Sequence, residues 1–107
     1  MSELEETLAF QIRAMGLPEP EREYQAVPKR KFRYDFAWPD ENHKLLAEVQ
    51  GGIWIRGSHA RPKGITRDMT KLNLAQLAGW RVLQFSPAMV RSGEAVKMIA
   101  KALGVEK

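Results

Sequence analysis

The stretch from residue 32 to residue 50, FRYDFAWPDENHKLLAEVQ, decides the fold. Its first part places an aromatic residue at every second position from Phe32 to Trp38, which is the period of a β-strand. Residues 39–42, PDEN, have the composition of a turn. Residues 45–50, LLAEVQ, are mostly apolar, which is typical of a strand covered on both faces. The sequence therefore predicts a hairpin whose second strand is central in a sheet.

The register of this hairpin determines which side chains meet. If the turn is centred between residues 41 and 42, Asp35 lies directly opposite Glu48, with Cβ atoms roughly 5 Å apart. Gln50 shares that face because it is two residues beyond Glu48. Two carboxylates this close repel each other unless a proton or a cation lies between them. An oxygen-only set, with a backbone carbonyl at the strand end nearby, suits Mg²⁺ or Mn²⁺ better than zinc.

A different turn centre gives a different interpretation of the same residues. A shift of one residue would move Asp35 and Glu48 to opposite faces of the sheet. The alternative to a metal site is that Asp35 pairs with Arg33 or Lys31, and Glu48 with a nearby basic side chain. An acid within the apolar run LLAEV is costly in a central strand unless it has a partner.

The elements outside the hairpin follow from capping residues, hydrophobic spacing and glycine or proline stops. In chain order we expect a helix from Ser2 to about Met15, a strand at Glu23–Val27, a loop at Arg56–Ile65, a helix at Arg67–Ala78 capped by Thr66, a strand at Trp80–Phe85, a helical turn at Ser86-Pro87 and a last helix between Ser92 and Gly104. With the hairpin, the order is αβββαβα. This pattern predicts an α/β fold in which helices flank a central mixed sheet.

Length and composition exclude several classes of protein. A chain of 107 residues predicts one domain, residues 1–107. It contains no cysteine, which excludes a disulfide scaffold, thiolate zinc sites, iron–sulfur clusters and a cysteine nucleophile. The first ten residues, MSELEETLAF, lack the basic run of a signal peptide, and no apolar stretch approaches the roughly 18 residues that cross a bilayer. We therefore expect a cytoplasmic protein without a membrane partner.

The positive charges are concentrated after residue 23. Residues 1–23 contain six acids and two bases, whereas residues 24–107 contain 15 bases and seven acids. One basic cluster is residues 29–33, KRKFR, and a second extends from Arg56 to Lys71. Such clusters attract a polyanion and release its counterions, although a solvated basic face is the alternative. Neither cluster lies on a convincing amphipathic helix, which favours nucleic acid over a membrane surface.

Two motifs resemble a known family of nucleases. RYDFAW at residues 33–38 and LLAEVQGG at residues 45–52, on adjacent strands after a helix and a short strand, resemble the PD-(D/E)XK nuclease superfamily. Its shared core is αβββαβ, the restriction-endonuclease-like fold, with an Asp on the second strand and an acid-x-Lys pattern on the third. GGIW at residues 51–54, GSHAR at 57–61 and GWRVLQF at 79–85, together with Asp68, Lys71 and Asn73, resemble small phage-encoded members that include Holliday junction resolvase-like enzymes.

The resemblance implies a set of active-site residues. It makes Asp35 and Glu48 metal ligands, with the carbonyl of Val49 as a third. Gln50 stands where the family usually has Lys, and it would orient water or the metal. The missing positive charge would come from Lys71 on the following helix. The implied catalytic residues are Asp35, Glu48, Gln50, Lys71 and Glu5.

The acid on the first helix has alternatives of its own. Family members often place a Glu there near the metal, and Glu5 fits best, with Glu6 as the neighbouring candidate. Either residue could instead be an acid that the helix dipole favours in a first turn.

The basic residues would contact phosphates, which position DNA without reading its sequence. The candidates are Lys29, Arg30, Lys31, Arg33, Arg56, His59, Arg61, Lys63 and Arg67. A lone histidine in a loop, as at His59, is more often simply solvated. Trp38 and Trp54 could stack on exposed bases, but at strand spacing they are more often core residues.

The resemblance implies a Mg²⁺-dependent DNA endonuclease, with Mn²⁺ as a substitute, in a bacterial or phage-infected cell. The leading hypothesis is a structure-selective Holliday junction resolvase that acts as a homodimer, since a four-way junction is two-fold symmetric. The alternatives are a nicking or repair-type nuclease of the same fold and a DNA-binding module with a decayed active site. The first helix, the aromatic strand or the last helix could form the dimer interface.

Overall fold

The computed structural model describes residues 2–50 and 62–105, in the second range with side chains from residue 64 onward. Its elements are α1 (Glu3–Ala14), β1 (Glu21–Tyr24), β2 (Tyr34–Trp38), β3 (Leu45–Val49), α2 (Pro62–Leu77), β4 (Arg81–Phe85), α3 (Pro87–Ser92) and α4 (Glu94–Ala102). The order is the predicted one, with the C-terminal helical segment divided into two helices. Within the described ranges, no helix is both long and apolar enough to cross a membrane.

The four strands form one mixed sheet in the order β1-β2-β3-β4. The β1/β2 and β2/β3 pairs are antiparallel, and β4 runs parallel to β3. Phe36 pairs with Ala47 and Trp38 with Leu45, which is the predicted hairpin register. Since β3 has a neighbour on each side, the prediction that it is central is confirmed.

Helices cover both faces of the sheet. On one face, α1, α3 and α4 enclose a core that includes Leu8, Ile12, Phe36, Phe85 and Ile99. On the other face, α2 contributes to a second core that includes Phe32, Tyr34, Leu46, Ala75 and Trp80. This double cover explains why β2 and β3 are apolar on both sides.

The hairpin's first strand is less regular than its alternating sequence suggests. It begins at Tyr34 rather than at Phe32, and Tyr34 packs in the second core whereas Phe36 packs in the first. The neighbouring strand is irregular at the same level, because Glu23 has a φ of 51°, in the left-handed region. Such a φ is uncommon for a residue other than glycine and often marks a functional site.

Two further predicted boundaries are wrong. The strand predicted at Glu23–Val27 lies instead at Glu21–Tyr24, and the apolar residues Ala26 and Val27 are buried in the second core without strand pairing. The structure also contradicts the end of the loop predicted at Arg56–Ile65, because α2 already begins at Pro62. Proline fits the first position of a helix, where its missing N–H costs nothing.

The helix caps agree with the prediction at some positions and differ from it at others. The Ser2 hydroxyl accepts a hydrogen bond from the Glu5 N–H and begins α1, as predicted. Ser86 caps α3 in the same way. Gly93, with a φ of 87°, separates α3 from α4 and takes the capping position that was predicted for Ser92. Thr66 likewise is not a cap, because it lies inside α2.

Candidate active site

Asp35 and Glu48 lie at the end of the β-ladder that joins β2 to β3. The last recorded pair is Phe36 with Ala47, and the same register places Asp35 opposite Glu48. There the Asp35 carboxylate, not its backbone, accepts a hydrogen bond from the Val49 N–H at 2.8 Å. This bond fixes the carboxylate beside β3 and satisfies a donor that would otherwise lie unpaired at the end of the ladder.

Glu48 is buried and has a cationic partner on α2. Only 6% of Glu48 is exposed, and its carboxylate contacts the Lys71 ammonium. The ammonium also lies 4.6 Å from the centroid of the Tyr34 ring. The Tyr34 hydroxyl donates a hydrogen bond to the Lys71 carbonyl oxygen at 2.8 Å. The predicted need of Glu48 for a partner is therefore met by the lysine that the sequence singled out.

Three carboxylates from three elements meet beside this pair. One oxygen each of Glu5, Glu23 and Asp35 lies within 4.8 Å of the others. Of the two candidate acids on α1, Glu5 belongs to this group, whereas Glu6 forms an ion pair with Arg22 at 3.0 Å. The cap orients Glu5 further, because the Ser2 hydroxyl also lies 3.3 Å from a Glu5 carboxylate oxygen.

Glu23 is the residue that sequence reasoning missed. The β1/β2 register, with Arg22 opposite Phe36 and Tyr24 opposite Tyr34, places Glu23 directly across from Asp35. Glu23 began the predicted strand Glu23–Val27, but no pairing register was predicted for that strand, so no residue was predicted opposite Glu23. A correct β1/β2 register would have been the signal that found it.

Burial makes the acids of the site harder to ionise. Burial raises the pKa of Asp35; the Val49 N–H opposes this shift and Glu48 adds to it. Burial also raises the pKa of Glu48, against the lowering effect of the Lys71 ammonium. The pKa of Glu5 is raised by burial and then by the charges of Asp35 and Glu23. Grouped carboxylates of this kind are stabilised in their ionised form by a bound cation.

The residues present fit a hard divalent cation. Oxygens from Glu5, Glu23 and Asp35 form an all-carboxylate donor set of the kind that suits Mg²⁺ or Mn²⁺. Glu5 Oε1 is buried without a hydrogen-bond partner in the described part of the chain, 3.9 Å from an Arg22 guanidinium nitrogen. An oxygen left in this state has a lone pair available for a metal.

The two residues that follow Glu48 continue the edge of the site. Val49 holds Asp35 through its N–H, and the proposed role of its carbonyl oxygen stays a prediction. The Gln50 N–H donates to the Phe85 carbonyl oxygen at 2.8 Å, just beyond β3. Gln50 is half-buried, and the role predicted for its side chain is not tested by these contacts.

The predicted phosphate contacts are partly described. Lys29, Arg30, Lys31, Arg33 and Arg67 are exposed. Arg56, His59 and Arg61 lie outside the described residues, as does Trp54, and of Lys63 only the backbone, in α2, is described. Trp38 is 3% exposed and donates a hydrogen bond to the Pro18 carbonyl oxygen, so its interpretation as a core residue is confirmed.

Comparisons with known proteins give matches to part of the amino-acid sequence. No family model matches the chain. Two curated relatives, the uncharacterized proteins MT2308 and Rv2248 of two strains of Mycobacterium tuberculosis, are each 37% identical over 70 residues, or 64% of this chain. The match covers 24% of each relative, so the chain spans about a quarter of their length.

A solved structure is similar over nearly the whole chain. The catalytic domain of the homing endonuclease I-Bth0305I superimposes with a TM-score of 0.69, covers 95% of this chain and 94% of its own, and is 18% identical. The chain therefore has the α/β, restriction-endonuclease-like fold of a nuclease catalytic domain. The expected fold class is confirmed.

Proposed function

We propose that this chain is a metal-dependent DNA endonuclease whose active site is formed by Glu5, Glu23, Asp35, Glu48 and Lys71. The observation that carries the proposal is the convergence of three carboxylates beside a buried Glu48–Lys71 ion pair. The nuclease fold supports it, because the site lies at the hairpin that carries the acidic motifs.

Glu5, Glu23 and Asp35 would hold the cation, and Glu48 would join them with the Val49 carbonyl. When bound, a divalent cation supplies positive charge that neutralises the carboxylates, polarises a phosphodiester and lowers the pKa of water. Mg²⁺ is the proposed metal, with Mn²⁺ as a substitute.

The side chains of the protein have separate tasks around that position. The Val49 N–H holds the Asp35 carboxylate in one orientation. Lys71 brings a positive charge to Glu48 from α2, and that charge would offset the negative charge developing on phosphate oxygens. Gln50 would orient the attacking water. The exposed basic residues between 29 and 33 and on α2 would position the DNA backbone.

The finer proposal is a Holliday junction resolvase that acts as a homodimer. It is supported by the resemblance of the motifs to resolvase-like enzymes and by the two-fold symmetry of the substrate. A nicking or repair-type nuclease with the same site is the second candidate. Gln50 in the place of the usual lysine favours a third, a DNA-binding module that no longer cleaves.

The test compares a labelled four-way junction with a linear duplex of the same sequence, in Mg²⁺, in Mn²⁺ and in EDTA. Asp35→Asn and Glu48→Gln remove site carboxylates, and Glu41→Gln, at an exposed acid of the hairpin turn, is the matched control. We expect paired symmetric cuts in the junction that are lost in EDTA and in both site variants and retained in the control.

The remaining outcomes separate the candidates. Equal cutting of both substrates would support the endonuclease and exclude junction selectivity. Salt-sensitive binding without cleavage in either metal would contradict the enzyme and support the DNA-binding module. Cleavage that survives both Asp35→Asn and Glu48→Gln would show that the active site lies elsewhere.

A further inference from the structure

Two arginines from different segments lie over one buried aromatic ring. Phe32 is 8% exposed and belongs to the second core. The guanidinium carbon of Arg30 lies 4.6 Å from the centroid of this ring, and that of Arg67 lies 5.8 Å from it. Because both distances end at the same centroid, the two guanidinium carbons lie no farther apart than the sum of these distances.

No acidic side chain in the described part of the chain balances the charges of these two arginines. In the described part of the chain, neither Arg30 nor Arg67 forms an ion pair with a carboxylate, since the recorded pairs involve Arg22, His43 and Lys71. The face of the ring attracts each cation, but the two cations repel each other. An anion held between them would remove this repulsion. Planar guanidinium groups bind phosphate with two parallel hydrogen bonds, so phosphate is the anion that this pair suits best.

Both arginines are attached to ordered backbone. The Arg30 N–H donates to the Val27 carbonyl oxygen at 3.3 Å, and the Arg30 carbonyl accepts from the Gln25 side chain at 2.6 Å. Arg67 lies within α2. A binding group on fixed backbone loses less entropy when its ligand arrives than one on a free chain.

The position of the pair relates it to the proposed active site. Arg67 and Lys71 are four residues apart on α2, and they lie over Phe32 and Tyr34 respectively. One helical turn advances about 5.4 Å, so the arginine pair is one turn from the lysine that contacts Glu48. A phosphate held by the arginines would therefore lie close to the phosphodiester at the carboxylates.

We propose that Arg30, Phe32 and Arg67 form a clamp for one backbone phosphate of the DNA substrate, beside the site of cleavage. The inference rests on the proposed function for the identity of the anion. It assigns Arg30 and Arg67 a joint role, in contrast to Lys29, Lys31 and Arg33, which would contribute general attraction to the DNA backbone. Phe32 acts as a positioning residue, because it holds both guanidinium groups without touching the phosphate.

The test measures the dissociation constant for a fluorescent linear duplex in EDTA, at several salt concentrations, so that cleavage plays no part. Arg30→Ala and Arg67→Ala are each expected to weaken binding about tenfold and to lower the salt slope by about 0.9, the value for one lost phosphate contact. Arg91→Ala, at an exposed arginine of α3 in the opposite layer, is the control and should leave binding within twofold.

The double variant distinguishes a clamp from two separate contacts. If both arginines hold one phosphate, Arg30→Ala/Arg67→Ala should bind no more than about threefold more weakly than either single variant. Phe32→Leu, which keeps an apolar side chain but removes the ring, should weaken binding and make the two arginine substitutions additive. Arg30→Lys and Arg67→Lys, which keep the charge but lose the planar fork, should fall between wild type and the alanine variants.

Several results would overturn the clamp. These are losses from the two alanine substitutions that multiply in the wild-type background, losses no larger than that of Arg91→Ala, or a wild-type protein that binds neither the duplex nor a four-way junction at low salt. The outcome is distinguishable from that of the proposed function. If the wild type cleaves DNA and the arginine variants bind it as tightly as the wild type, only the clamp is refuted. If the two arginine substitutions are coupled in binding but the protein never cleaves DNA, only the endonuclease is refuted.

Discussion

At the scale of single residues, the contact between Glu48 and Lys71 is central to the site. Removing one member of a buried ion pair leaves the other charge without compensation, which costs more than the pair itself contributes. Glu48 is nearly fully buried, whereas 19% of the Lys71 side chain is exposed, so the acid would suffer most from the loss of its partner. Removing only Lys71 should therefore reveal the cost of the unpaired carboxylate.

We predict that Lys71→Met lowers the free energy of unfolding by about 3 kcal/mol, near the lower end for a broken buried pair. The double variant Lys71→Met/Glu48→Gln should recover most of this loss, because the uncompensated charge is gone. Urea denaturation in EDTA measures both. A double variant that is no more stable than Lys71→Met would show that packing, rather than charge, accounts for the effect.

For Asp35 we expect the opposite effect, a substitution that raises the free energy of unfolding. It lies across from Glu23 and Glu48, and like charges directly opposite each other on a sheet destabilise it by up to about 1 kcal/mol. Asp35→Asn should therefore stabilise the metal-free protein by up to about 1 kcal/mol while it abolishes cleavage. Thermal or urea unfolding in EDTA, with Glu41→Gln as the control, measures the change in stability.

The raised pKa of Asp35 adds a pH dependence to this prediction. A carboxyl group whose pKa is raised by folding binds protons more tightly in the folded state, so stability falls as the pH rises through the interval above the ordinary value of 3.8. The stabilisation by Asp35→Asn should accordingly be larger at pH 7 than at pH 4. An advantage that is constant across this range would contradict the assigned pKa shift.

At the scale of elements, the packing of α2 against the hairpin positions Lys71, the lysine of the proposed active site. The hydroxyl of the fully buried Tyr34 donates a hydrogen bond to the Lys71 carbonyl oxygen, and the Tyr34 ring lies under the Lys71 ammonium. Burial, and then the charge of Glu48, raises the pKa of Tyr34 from 10 to about 12. The phenol therefore remains a donor well into the alkaline range.

We predict that Tyr34→Phe lowers the free energy of unfolding by about 1 kcal/mol at neutral pH, the value of one hydrogen bond. The folded protein keeps the phenolic proton at a pH where the unfolded chain has released it, so this contribution is lost as the pH rises from 10 to about 12. The difference between wild type and variant should thus shrink by about 1 kcal/mol between pH 8 and pH 11. Urea denaturation across this range tests it, and a constant difference would contradict the shift.

The elements also show what the sequence could and could not predict. The hairpin register was predictable because the PDEN turn and the apolar alternation agree on one centre, and the register in turn fixed Asp35 opposite Glu48. The start of α2 was not predictable, because Pro62 and Gly64 are residue types that are common in loops. Proline is also favoured at the start of a helix, so the same residue fits both interpretations. Glu23 was missed for a related reason: β1 pairs through only a few residues, and its register depends on tertiary packing.

At the scale of the whole molecule, the fold limits which surfaces could form the interface of the proposed homodimer. The aromatic strand is excluded, because β2 lies between β1 and β3 and its aromatic residues are buried. The other two candidates, α1 and α4, lie in the same layer, and each exposes a large apolar side chain, Phe10 at 65% and Met98 at 39%. If the protein is a homodimer, this layer is the surface most suited to the contact.

We predict that Phe10→Glu weakens self-association at least about tenfold, because it places a charge in an apolar contact across a two-fold axis. Leu77→Glu is the matched control, since Leu77 is 84% exposed but lies at the end of α2 in the opposite layer. Sedimentation of both variants and of the wild type over a range of concentrations measures the dissociation constant. A dimer that Leu77→Glu disrupts and Phe10→Glu does not would place the interface on the side of α2. A wild-type protein that sediments as a 12.2 kDa monomer on its own, and of which only one copy binds each four-way junction, would remove the basis for paired symmetric cleavage and favour the nicking enzyme.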